Sequence, residues 1–126
     1  MELNETKIVG HLVRDPEVRH TSNGQSVAEV TLGVNESYSA ADKERKQIVT
    51  FVDVTVWGPS AENLAKLAQK GVQIFVQGSL RQSQWDDKQT GAKRSKLFVN
   101  AESWQFTQKL RASSPPEKIK GQEANR

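Results

Sequence analysis

The stretch IVTFVDVTVW at positions 48–57, closed by Gly58-Pro59, decides how the rest of the chain is read. It is rich in β-branched and aromatic residues, and at a two-residue period Val52, Val54 and Val56 form one continuous apolar face. The opposite face carries Phe51, Asp53, Thr55 and Trp57. Two large aromatics on that side, across from a face already apolar enough for a core, call for a second partner. Another subunit or a loop could cover them, since interfaces are also rich in aromatics.

Working upstream, Val27 to Val34 alternates, with Ala28, Val30, Leu32 and Val34 on one side and Glu29, Thr31 and Gly33 on the other. That pattern marks a half-buried antiparallel strand with its even-numbered side inward. Lys7 to Val13 reads as an earlier strand broken by Asp15-Pro16, and Val18 to Thr21 leads into the hairpin pair Asn23-Gly24. Between the two strands that follow, ESYSAADKERK (36–46) shows neither period and is expected to be a long loop bearing Tyr38.

Downstream, Ser60 is expected to cap a short helix on which Ala61, Leu64, Ala65 and Ala68 recur at helical spacing until Gly71. Val72 to Leu80 returns to strand with Val72, Ile74, Val76 and Leu80 inward, running on toward Trp85. The turn-rich DDKQTGAK (86–93) closes a second hairpin, and Lys96 to Phe106 is the last strand, with Leu97, Val99 and Ala101 at alternate positions. From Arg111 the sequence RASSPPEKIKGQEANR has almost no apolar content, so 1–110 is expected to be one folded domain and 111–126 a disordered polar tail. Strands, one helix and more strands joined by local hairpins predict an all-β fold, a small barrel of five strands with the helix between strands 3 and 4.

Composition narrows the function. At 126 residues and 35% hydrophobic, the chain suits a single core. The absence of cysteine excludes disulfides, thiolate zinc sites and cysteine nucleophiles. The start, MELNETKIVG, lacks the basic and apolar regions of a secretion signal, so a cytoplasmic protein is expected, with no membrane partner. Only His11 and His20 are available as histidines, no phosphate-binding GxxxxGK[ST] loop occurs, and Asp86-Asp87 reads as a solvated turn. No catalysis, metal or cofactor is expected. His11 reads as a packed or interface histidine, Trp104 and Phe106 as packing residues, and Phe75 as an interface candidate.

The positive signal is the interleaving of aromatic and basic residues. Tyr38 is accompanied by Lys43, Arg45 and Lys46, and Trp85 by Lys88, Lys93, Arg94 and Lys96. Unpaired bases stack on flat rings while phosphates need cations along the same track, so single-stranded nucleic acid is the leading partner. The net charge of +3 is mildly favourable, though Glu44, Asp86 and Asp87 partly cancel the loop cations. Asp53, between the two aromatics of its strand, would repel phosphate unless it points aside or pairs with a cation.

With these residues in view, the chain from Lys7 to Phe106 resembles the bacterial single-stranded DNA-binding proteins of the OB-fold type. The resemblance lies in VGHLVRDPEVRHTSNG (9–24), FVDVTVWG (51–58) and KGVQIFVQGSLRQSQW (70–85), in that order. It implies a five-stranded Greek-key barrel and a non-catalytic role sheltering single-stranded DNA in replication, recombination or repair, at the nucleoid. It also implies that Tyr38, Phe51, Trp57 and Trp85 stack bases, that Lys7, Lys70 and Arg81 touch the backbone, and that the chain assembles as a homotetramer or a dimer. The sequence departs from the family at Val13, where glycine is common, at Val52, where histidine is common, and at Asp53, where arginine is usual. The sequence ends at KIKGQEANR, without the family's acidic, Phe-ended tip for docking replication and repair enzymes. That motivates the alternatives of a specialised OB paralog, such as a replication-restart or plasmid-type protein, or an oligomeric interaction module.

Overall fold

The computed structural model describes residues 1–107, and the expected tail from 111 lies outside the described residues. Six strands and one helix follow in the order β1 (Thr6–Leu12), β2 (Val18–His20), β3 (Ser26–Ser39), β4 (Arg45–Trp57), α1 (Pro59–Leu67), β5 (Gln73–Asp86) and β6 (Lys93–Phe106). The sheet order is β1-β5-β6-β4-β3-β2, and β1 also pairs with β3, which closes the five longer strands into a barrel. Among the described residues only β4 and β6 run parallel, at Val54 opposite Val99 and Thr55 opposite Asn100. The short β2 pairs with β3 across the Asn23-Gly24 turn, where Gly24 has φ 86 and donates its N–H to the Thr21 carbonyl at 2.9 Å.

The alternation read from β3 and β4 holds. Ala28, Val30 and Leu32 of β3 and Val54 and Val56 of β4 are buried together with Leu12, Ile74, Val76 and Val99. One end of this core is covered by α1 through Ala61, Leu64 and Ala68. The helix starts two residues earlier than expected. Gly58, at φ 70, is its N-cap and Pro59 its first residue, with no side-chain cap. A positive φ favours glycine and a fixed φ near −65° suits proline at that place, so the backbone sets the start and Ser60 is free of the task. The Ser60 carbonyl instead accepts the Trp104 indole N–H at 3.1 Å, and Trp104 packs edge-on against Phe106 with ring centroids 5.2 Å apart. Both rings pack against the core, as expected of them.

The expected loop at 36–46 is mostly strand. β3 and β4 stay paired out to Ser39 opposite Arg45, leaving a turn at 40–44. In the same way β5 and β6 pair out to Asp86 opposite Lys93. The two hairpins project as two-stranded arms, wet on both faces, so no apolar alternation announces them. The arms also explain why Leu80 is 46% exposed and not inward: β1 pairs with β5 only as far as Gly78, and Leu80 lies at the root of the arm beyond the closed barrel. Its backbone is held there by the Asn4 side chain, which donates to the Leu80 carbonyl at 2.9 Å and accepts its N–H at 2.8 Å.

Candidate nucleic-acid interface

The outward face of β4 is the centre of the site. Across the sheet, Glu29 of β3, Thr55 of β4, Asn100 of β6 and Ser79 of β5 lie in one row. On the same faces, Thr31 is opposite Asp53, Gly33 opposite Phe51, Arg81 opposite Phe98 and Ser83 opposite Lys96. The next pair outward on the β5–β6 arm is Trp85 opposite Arg94. Pleat alternation therefore brings Phe51, Trp57, Arg81, Arg94 and Trp85 onto one continuous side of the molecule. Phe51 and Trp57, six residues apart, stand about 20 Å from each other along β4.

These rings are accessible in the protomer. Phe51 is 66% exposed, Trp57 42%, Trp85 49% and Tyr38 48%. Each ring presents surface for stacking without rearrangement of the core. Trp57 is also oriented, since its indole N–H donates to the Asn100 side-chain oxygen at 3.1 Å. Beside it opens a groove of about 520 Å³ whose walls carry the cations Arg14, Arg19, Arg81 and Lys96. Asp53 lies in this groove. One of its oxygens accepts the Thr31 hydroxyl at 2.8 Å and the other stands 3.2 Å from the Lys96 ammonium. Partial burial alone would push the Asp53 carboxyl up, but the Thr31 hydrogen bond, Lys96 and Arg14 outweigh it and hold the group below the ordinary carboxylate value. The cation partner that the sequence reading required for Asp53 is thus Lys96.

The other expected basic residues fall into separate places. On the β3–β4 arm, Tyr38 is opposite Lys46, Arg45 donates to the Ser37 hydroxyl at 2.7 Å, and Lys43 occupies the turn at φ 67. Tyr38 is on the pleat face opposite to Phe51, so only the twist of the arm can carry both toward one ligand. On the β5–β6 arm, a concavity of about 430 Å³ joins Trp85 with Lys93 and Arg94, while Lys88 is in the turn. That turn is braced by Asp87, whose carboxyl is held low by the Gln89 backbone N–H and also by Thr90 and Arg94. Lys7 lies on β1 opposite Gln77 and 3.7 Å from Glu5, and Lys70 follows the helix with its backbone N–H bound to Asp15 at 2.7 Å. Neither lines the groove, so the thirteen expected residues form a groove pair, Trp57 and Arg81, with Phe51 further along β4 on the same side, two arm sets and two outliers.

The reading of the sequence missed Arg14, Arg19, Phe98 and Asn100. Phe98 and Asn100 were legible as the opposite phase of Leu97, Val99 and Ala101, two and four residues beyond Lys96. Arg14 lies in the connection from β1 to β2 and Arg19 on β2 itself, and both reach the groove only through the tertiary fold.

Comparison with known proteins follows the same outline. Residues 3–107 match the Single-strand binding protein family. A single-stranded DNA-binding protein of Helicobacter hepaticus is 37% identical over 103 residues, 82% of this chain and 60% of that protein. One from Synechocystis is 36% identical over 99 residues, 79% of this chain and 78% of that protein. The Deinococcus radiodurans protein is 36% identical over 99 residues, which make up only 32% of its length, so the chain spans part of several relatives. Among solved structures, a deletion mutant of the single-stranded DNA binding protein from Thermus aquaticus superposes with a TM-score of 0.74 at 27% identity, covering 84% of this chain and 51% of that one. The Plasmodium falciparum SSB, solved in complex with ssDNA, shares the fold with a TM-score of 0.78 at 20% identity, covering 86% and 97% of the two chains. The chain described here belongs to the Single-strand binding protein family.

Proposed function

We propose that this chain binds single-stranded DNA, without catalysis and largely without sequence preference, and shelters it in the cytoplasm during replication, recombination or repair. The carrying observation is that Phe51, Trp57 and Trp85 lie bare on one side of the barrel with Arg81 and Arg94 beside them. Bases stack on the rings while phosphates follow the cations, and neither interaction reads a base edge. Tyr38 with Lys43, Arg45 and Lys46 would extend the track along the first arm, and Lys88 and Lys93 along the second. Lys7 and Lys70, away from the groove, would meet only a strand that wraps around the barrel.

Assembly into a homotetramer, or a dimer, would join several such tracks. Val9 of β1 is 40% exposed and is paired with Phe75 of β5 on the outward side of those strands, an apolar site remote from the aromatic track and suited to meeting a second copy. Titration with poly-dT tests the binding: quenching of tryptophan emission at low salt, reversed by added salt, is expected, and an unchanged spectrum refutes it. Solution mass with and without dT oligomers gives subunit number and stoichiometry, and a monomer under both conditions rejects assembly.

A further inference from the structure

The groove beside Trp57 carries its own anions. Glu29 and Asp53 line it, and each meets a cation of the same surface. Arg19 is 2.6 Å from Glu29, and Lys96 is 3.2 Å from Asp53. Asp53 is held from a second direction by the Thr31 hydroxyl at 2.8 Å, which keeps its carboxylate beside Lys96. Among the described residues, the remaining groove cations Arg14 and Arg81 make no ion pair. The carboxylate of Asp53 stands between the rings of Phe51 and Trp57, where a strand stacked on both must lay its phosphates.

Resting on the single-stranded DNA reading, we propose that Asp53 competes with the DNA phosphates for Lys96, withholding one cation of the groove and thereby limiting affinity and its salt dependence. The Asp53 and Lys96 side chains are 41% and 48% exposed. An ion pair so open to water is weak and exchangeable, so it does not lock the groove. A phosphate arriving at Lys96 displaces Asp53 and leaves that charge uncovered beside the polyanion. The net gain from Lys96 is then close to nothing, because one attraction is replaced by another and a repulsion is added. Thr31 is well placed to hold the displaced carboxylate on its own oxygen.

The magnitude follows from counterion release. One additional effective phosphate contact on a single strand adds about 0.7 to the slope of log affinity against log salt. That corresponds to about fivefold tighter binding at 0.1 M salt and about 25-fold at 0.01 M. Asp53→Asn keeps the shape and the Thr31 contact while removing the charge, so it is expected to give that gain. Lys96→Gln strips the cation and bares Asp53, so it is expected to weaken binding about fivefold at 0.1 M salt. The double variant restores the local charge to zero and is expected to return to the parent's affinity and slope.

The test is a tryptophan-quenching titration of the four proteins with dT and dC oligomers across salt concentration, with melting curves to establish folding. Tighter binding and a steeper slope for Asp53→Asn, reversed in the double variant, support the proposal. Unchanged or weaker binding by a folded Asp53→Asn overturns it, as does a gain without a change of slope. Loss confined to dC would make Asp53 a reader of bases and overturns it too. Should Asp53→Asn not fold, Lys96→Gln decides alone, and affinity equal to the parent's refutes the proposal. A parent protein that binds neither oligomer at low salt removes the single-stranded DNA reading itself, whereas a binding parent with an unresponsive Asp53→Asn removes only this inference.

Discussion

Gly78→Ala is expected to loosen the fold and the binding face together. Gly78 sits at the irregularity where β5 and β6 slip register, from Gln77 opposite Ser103 to Gly78 opposite Ala101, leaving Glu102 as the extra residue. A Cβ placed on Gly78 would lie 2.1 Å from the Asn100 carbonyl oxygen and 2.9 Å from the Ala101 Cα, both of them backbone. Carbon and carbonyl oxygen in adjacent strands normally approach to about 3.3 Å, so the strands must part by roughly 1.2 Å. No side chain can swing aside to absorb that. Overpacking of this kind costs about 1–3 kcal/mol, of which the stiffer unfolded chain returns about 0.4–1. A mid-range net loss of about 1.3 kcal/mol lowers the melting temperature of a domain of this size by roughly 5–10 °C. Because β6 carries Asn100, which orients Trp57, the tryptophan emission of the folded state should also shift. Thermal and urea unfolding at fixed protein concentration measure the loss. Gly33→Ala is the control, since a Cβ there finds its nearest neighbours at 3.7 Å and the change should be neutral or stabilising. Equal stabilities for Gly78→Ala and the parent, within about 0.5 kcal/mol, would refute the steric reasoning.

Trp57→Ala and Trp85→Ala should each weaken dT binding by about 1–3 kcal/mol with little change in melting temperature, measured by titration and calorimetry. Full affinity in both would take these rings out of the site. The pH dependence of stability should carry the signature of Asp53. Its carboxyl is held low in the folded protein by Thr31, Lys96 and Arg14 against the effect of burial, so its stabilising contribution is present above the unfolded value of about 3.9 and disappears as pH falls through the folded one. Melting temperatures of the parent and Asp53→Asn should therefore differ most near neutrality and converge in acid. A constant difference across that range would show that the charge is not responsible.

The barrel was legible because its strands have one dry side. Val52, Val54 and Val56 in one strand and Ala28, Val30 and Leu32 in the next repeat at the period a pleat demands, and those faces meet in the core. The arms were not legible in full, because Glu36 to Ser39 and Arg45 to Gln47 are wet on both sides and carry no hydrophobic alternation. The start of the helix was misassigned for a related reason: a serine invites a side-chain cap, whereas here the left-handed Gly58 and the preset Pro59 make one unnecessary. The exposed aromatics followed from strand phase and local context. The groove cations Arg14 and Arg19 did not, since no local pattern ties the β1–β2 connection or the three-residue β2 to the outer face of β4.

The placement of the three tryptophans separates what an optical experiment reports. Trp57 and Trp85 stand in the proposed path of the ligand, whereas Trp104 is fastened by its indole N–H to the Ser60 carbonyl and wedged against Phe106. Emission from the parent protein consequently sums two ligand sensors and one gauge of whether the helix remains seated. Replacing Trp104 with Phe isolates the sensors, and a Trp57→Phe, Trp85→Phe protein leaves a spectrum that responds to unfolding and is blind to oligonucleotide.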